Sequence, residues 1–168
     1  MYKKTNQISP KASLYGNIEL GDNVRIDDFC ILTGDIKIGS NIHIACYTFF
    51  SGKYGIELED YVQIAPRTTI LSGSDDYSGD SMVGPTIPDG YKPKLETGRV
   101  VVKKHVLLGL GTVIMPGVTV GEGVSTGAFT FANKDLDPWG IYVGIPARYL
   151  KERGKKILEL TKEFEATQ

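Results

Sequence analysis

Every sixth residue of this chain is small or aliphatic over most of its length, and that period restricts the fold more than any other feature. Ala12, Ile18, Val24, Cys30, Ile36, Ile42 and Thr48 keep the spacing. After a two-residue slip at Gly52-Lys53-Tyr54-Gly55 it resumes at Ile56, Val62 and Thr68, and later at Val100, Val106, Thr112, Val118, Val124 and Thr130. An amphipathic helix would place apolar residues at i, i+3, i+4 and i+7. An ordinary antiparallel sandwich has no reason to hold sixteen positions in one register. Instead, each short strand donates one inward residue before the chain turns a corner. Three strands then close a triangular coil of about eighteen residues, and successive coils pair their backbones at ~4.8 Å. The expectation is an all-β solenoid. Glycines in Leu20-Gly21-Asp22, Ile38-Gly39-Ser40 and Val120-Gly121-Glu122 suit corners that need positive φ or close backbone approach.

Two segments leave the pattern. Residues 74–98 contain three prolines, four glycines and five acidic residues, which disfavours both helix and strand. A segment of this length thrown out of a compact domain is usually functional or disordered, and a functional loop is the expectation here. At the other end, Leu150, Ile157, Leu160 and Phe164 make a helical stripe interrupted by Gly154. The domain reading is therefore a β-solenoid over 1–147, with the 74–98 loop extruded, and a C-terminal helix over 148–168 packed on its outside.

Composition excludes some functions. Nineteen basic and twenty acidic residues leave a net charge of −1, which argues against a nucleic-acid partner. The N-terminal MYKKTNQISPKAS has no apolar core of the kind a secretory signal needs. No apolar run approaches the ~20 residues of a membrane span, so membrane insertion is not expected. Cys30 and Cys46 sit in apolar stretches and suit reduced, buried thiols. The expected location is the cytoplasm.

The most specific stretches are ValIleMetProGlyValThrValGlyGluGly (113–123), LysAspLeuAspProTrp (134–139) and GlyIleProAlaArg (144–148). Through them residues 8–150 resemble the hexapeptide-repeat acetyltransferase family, in particular the sugar O- and N-acetyltransferases of O-antigen, capsule and lipopolysaccharide biosynthesis. The resemblance implies a left-handed parallel β-helix and a homotrimer with active sites between subunits. It also implies acetyl-CoA as donor and a hydroxyl or amine of a sugar or nucleotide-linked sugar as acceptor. Galactoside/maltose-type or xenobiotic O-acetyltransferases and a non-catalytic β-helix scaffold are the alternatives. A zinc-dependent γ-type carbonic anhydrase needs three histidines, and this chain has only His43 and His105, so no metal is expected.

Acetyl transfer to a hydroxyl requires a base. Strand alternation points both histidines outward, two coils apart. The family's commonest histidine falls near Asp75, so that base does not carry over. The resemblance to a subgroup with AspAspTyrSerGly makes His43 the first choice, oriented by Asp75 or Asp76 across a subunit boundary, with His105 as the second candidate. An amine acceptor needs no such base, since positioning then carries most of the rate. For the donor, the resemblance implies Gly109, Gly111, Gly127 and Ala128 along the pantetheine arm. It also implies Arg148, with Lys134 and Lys151 as weaker candidates, at the CoA phosphates.

Overall fold

The computed structural model describes residues 5–167. Met1–Lys4, which open the N-terminal stretch read above as lacking an apolar core, lie outside the described residues, as does Gln168. The chain winds as a left-handed parallel β-solenoid. Its first face stacks Gln7–Ile8, Val24–Ile26, Ile42–Ile44, Gln63–Ile64, Leu107–Leu108, Ser125–Thr126 and Gly140–Val143 in order. The other two faces are covered by strands such as Ser13–Leu20, Ile31–Ile38 and Phe49–Leu58, which bend over the corner between them.

Fourteen of the sixteen repeat positions are buried, and the other two, Ala12 and Ile18, pack partly buried against the core at its N-terminal end. Each strand sends in two residues, not the one expected from the period. Val24 and Ile26 both face the core with Arg25 between them pointing out, because side chains alternate along a strand. The second inward column runs Ile26, Ile44, Ile64 and Leu108 in direct register. Threonine replaces valine where a buried corner carbonyl needs a donor. Thr48, Thr68 and Thr130 donate their hydroxyls to Ala45, Ala65 and Gly127 carbonyls at 2.7, 2.8 and 2.8 Å.

The corners settle the alternatives left open for the glycines. Left-handed φ falls on Asn23, Asn41, Tyr61 and His105 at the corner entering the first face. At the corner leaving it, φ is positive at Phe29, Tyr47, Arg67 and Phe129. Gly39 and Gly121 are needed for space: a Cβ there would stand 2.9 Å from the Asp60 nitrogen or 2.6 Å from the Pro138 nitrogen of the next coil.

The C-terminal segment differs from the helix expected from residue 148. Arg148–Glu152 is a strand antiparallel to Gly140–Val143, and the helix runs Lys156–Ala166. The reason is the last coil's edge, whose backbone groups have no further coil to pair with and take the returning strand instead. Leu150 is consequently exposed on that strand. The turn between strand and helix is anchored by Arg153, whose Nη1 donates to the His105, Gly123 and Val124 carbonyls at 2.7, 3.0 and 3.3 Å. The helix then lies on the corner entering the first face, where the Tyr61 hydroxyl donates to Glu165 at 2.8 Å and Phe164 meets the Tyr61 ring edge-on. Among the described residues no helix is long and apolar enough to cross a membrane.

Candidate functional site

Both interruptions of the six-residue period meet at one corner of the prism. Pairing of Ile31–Ile38 with Phe49–Leu58 slips between Gly34↔Gly52 and Ile36↔Ile56, so Lys53, Tyr54 and Gly55 occupy the space that Asp35 fills one coil earlier. One coil later the chain leaves the solenoid through Gly73–Ser74 and returns antiparallel to it through Glu96–Thr97. Between insertion and loop lies a cavity of about 380 Å³, walled by Lys53, Tyr54, Ser74, Asp75, Gly84 and Lys92 among others. The Tyr54 ring covers Gly73 so closely that a Cβ there would stand 2.7 Å from it.

The extruded loop is internally bonded. The Asp76 carboxylate accepts the N–H groups of Ser78 and Asp80 at 2.8 and 2.9 Å. Hydrogen bonds from Ser78 and the following backbone amides hold Asp76 below the usual carboxylate range. Asp75 Oδ1 accepts the Gly84 N–H at 3.3 Å, and Lys92 Nζ donates to the Gly84 carbonyl at 3.3 Å. Ser81 Oγ accepts the Lys94 N–H at 3.0 Å, and Lys94 is paired with Asp80.

His43 lies on the first face, opposite this corner, and its partner is Asp27. His43 Nε2 and Asp27 Oδ2 stand 2.7 Å apart, while Arg25 Nε donates to Asp27 Oδ1 at 2.8 Å. Burial alone would raise the Asp27 carboxyl, but the His43 and Arg25 hydrogen bonds outweigh it and hold it below its ordinary value. Within one chain, then, His43 does not meet Asp75 or Asp76. Asp27 escaped the sequence reading, although its position was legible. Residues sixteen apart sit on neighbouring coils two places out of step, within reach of a long side chain.

His105 is not outward-facing as expected. It occupies the corner entering the first face with φ +62°, is almost fully buried and stacks on Tyr61 with ring centroids 5.2 Å apart. Burial lowers its pKa, and Nδ1 has no hydrogen-bond partner among the described residues.

The candidate donor residues divide by location. Gly109 and Gly127 stack in one column above Ala45 and Ala65 at the edge of the first face, with Gly111 and exposed Ala128 beside them at the corner. Arg148 pairs with Val143, the next residue of that column, so it joins the same edge. Lys134 lies on the corner of the extruded loop, and Lys151 faces Ile141, further along the hairpin. Gly109 also has a packing reason to be glycine, since a Cβ would stand 2.4 Å from the Thr126 carbonyl oxygen. Gly111 has another: its φ is +65° and the Phe129 ring lies over it.

A dTDP-4-amino-4,6-dideoxy-D-glucose acyltransferase of Escherichia coli is 42% identical to this chain over 163 residues, spanning 94% of this chain and 84% of its own length. The chain belongs to the hexapeptide-repeat acyltransferases. It is an acyltransferase, as its relatives are. Among solved members of the family, a variant of AntD, an N-acyltransferase from Bacillus cereus, in complex with dTDP-4-amino-4,6-dideoxyglucose and coenzyme A, superposes with a TM-score of 0.94 at 50% identity, over 96% of this chain and 88% of that one. A second AntD variant, with dTDP and coenzyme A, reaches a TM-score of 0.96 at 48% identity, over 99% of this chain and 90% of that one. No protein-family model matches the chain.

Proposed function

We propose that this chain transfers an acyl group, acetyl being the simplest, from acyl-coenzyme A to the 4-amino group of a dTDP-linked 4-amino-4,6-dideoxyhexose. The observation that carries this reading is the likeness to AntD bound to that sugar nucleotide and coenzyme A, 50% identical over 96% of the chain. The amine's lone pair attacks the thioester carbonyl, a C–N bond forms and the C–S bond breaks. The coenzyme leaves as a thiolate that takes the proton shed by the nitrogen. A neutral amine needs no side-chain base, so the protein's task is to position it and stabilise the developing oxyanion.

In this reading the cavity between insertion and loop receives the sugar, and the Gly109–Gly127 edge with Arg148 receives the pantetheine arm and phosphates. These regions lie on different corners of one chain, and in the homotrimer that the family resemblance implies the loop of one copy faces the edge of the next. The enzyme acts in the cytoplasm, where acyl-coenzyme A is held, on a precursor of surface polysaccharide.

A second reading keeps His43 as a base for a hydroxyl acceptor, and the 2.7 Å contact with Asp27 favours it. A carboxylate partner stabilises the imidazolium formed on proton transfer. Thiol release from acetyl-coenzyme A separates the two. The 4-amino sugar nucleotide is expected to support turnover and its 4-hydroxy counterpart to support none. Turnover with the hydroxyl alone would replace the first reading with the second, and turnover with neither would overturn both.

A further inference from the structure

We infer that Lys92 and Asp75 are positioning residues that together clamp the backbone on both sides of Gly84 and so hold the outer wall of the acceptor cavity. This rests on the cavity being the acceptor site, as proposed above. Gly84 is held from both sides by opposite charges. Its N–H is taken by the Asp75 carboxylate and its carbonyl by the Lys92 ammonium, each at 3.3 Å. Its φ is +90°, and beyond its chain neighbours no atom lies within 4 Å of where a Cβ would be, so that side of the residue is open.

The burial of Lys92 is the second observation. Its side chain is 10% exposed, while Asp89, its ion-pair partner at 2.9 Å, is 83% exposed. Lysine normally keeps its ammonium in water. Here it is turned inward from an otherwise exposed loop, with Tyr77, Met82, Val83 and Tyr91 all facing solvent. Removing an ammonium from water is unfavourable unless acceptors replace the lost hydration, and the Gly84 carbonyl and Asp89 supply such acceptors.

The clamp also joins the two interruptions of the repeat. Lys53, contributed by the insertion, adds to the positive field at Asp89, so charge alternates from Lys53 through Asp89 and Lys92 to the Gly84 carbonyl. Gly84, Lys92, Asp75 and Lys53 all border the cavity. Loss of the clamp leaves the backbone at Gly84 with the long Ile87 N–H contact to its carbonyl at 3.5 Å, and the wall that meets the sugar loosens while the distant Gly109–Gly127 edge is untouched.

The test is Lys92→Met beside Lys92→Arg in the full-length protein. We expect Lys92→Met to raise KM for the sugar nucleotide about tenfold or more, with KM for acyl-coenzyme A and kcat changed less than about threefold. Lys92→Arg, which keeps the charge and donors, should return KM to within about threefold of the parent. Asp75→Asn should show a smaller rise with the same selectivity, and serves if Lys92→Met does not fold. Unchanged acceptor KM in Lys92→Met, or an equal rise for both substrates, would overturn the inference. Amide hydrogen exchange of the unliganded protein keeps this test separate from the proposed reaction. Exchange across residues 77–91 should quicken in Lys92→Met, and an unchanged rate would overturn the clamp whatever the substrate proves to be.

Discussion

The stacked coils and the corner where the repeat breaks are built by opposite rules. In the coils a residue's place follows from its number: Val24, Ile42 and Val106 are buried because they fall on the period. Their neighbours above and below are the same positions of adjacent coils, and that redundancy buries a continuous core. At the corner, Lys53, Tyr54 and the 74–98 loop have no counterpart in other coils. They are held by bonds between unlike groups, such as Asp75 with Gly84 and Ser81 with Lys94. A change in the coils should therefore register as stability, and a change at the corner as substrate recognition.

The largest expected effect tests the first half of that contrast. Phe50 is fully buried, and Phe50→Ala should cost about 3–5 kcal/mol in denaturant unfolding, while the protein that remains folded keeps its acceptor KM. A raised KM at constant stability would erase the distinction between the two regions. Arg153→Met should come next. It strips three carbonyls of their shared donor, and a loss of about 1–3 kcal/mol with faster proteolysis of the C-terminal segment is expected.

Gly127→Ala probes the proposed donor edge, where a coil position is also a candidate site residue. Its Cβ would stand 2.9 Å from a methyl of the half-buried Val143 side chain, with the Tyr142 carbonyl oxygen next at 3.8 Å, so stability should fall by about 1 kcal/mol, the low end of overpacking. If the pantetheine arm lies on this column, KM for acyl-coenzyme A should rise about threefold to tenfold with the acceptor KM unchanged. No rise would remove Gly127 from the donor site. His43→Ala should alter kcat by less than about threefold for an amine acceptor. A loss of about a hundredfold with the assembly intact would make the His43–Asp27 pair the base.

The same contrast explains what could be read from the chain beforehand. Residues that obey the period declared the solenoid, the extruded loop and most of the core. The second inward column was implied by strand alternation but hidden, because Ile26 or Leu32 does not add to a six-residue count already satisfied by Val24 and Cys30. Corner conformations were not legible. Phe29, Tyr47 and Tyr61 carry positive φ, a state bulky residues avoid unless neighbouring coils enforce it. The stripe that begins at Leu150 points to a helix from residue 148, eight residues before the helix starts, because a strand that pairs with an edge needs no periodic pattern of its own. At the site, histidines and acids were visible as residue types, but their partners depend on which corner each occupies. His43 therefore pairs with Asp27, and Asp75 holds a glycine peptide.

His105 supplies the smallest effect and the sharpest test of how far the coil rules reach. Burial lowers its pKa in the folded chain, so as pH falls the unfolded chain takes up the proton first. Its contribution to stability is thus fully present above the free-histidine value of 6.5 and is lost as pH drops below it. Glu122 and Glu165 oppose this shift, while Lys104 and Arg153 reinforce it. His105→Asn tolerates the left-handed corner and does not titrate. Between about pH 7 and pH 5 its Tm should fall less than that of the parent, by a margin of about 2 °C or less. Equal slopes would mean that the Tyr61 stack admits a charged imidazolium. The corner beneath the C-terminal helix would then be open to water, and the close packing that sets the coils apart from the loop corner would stop short of it.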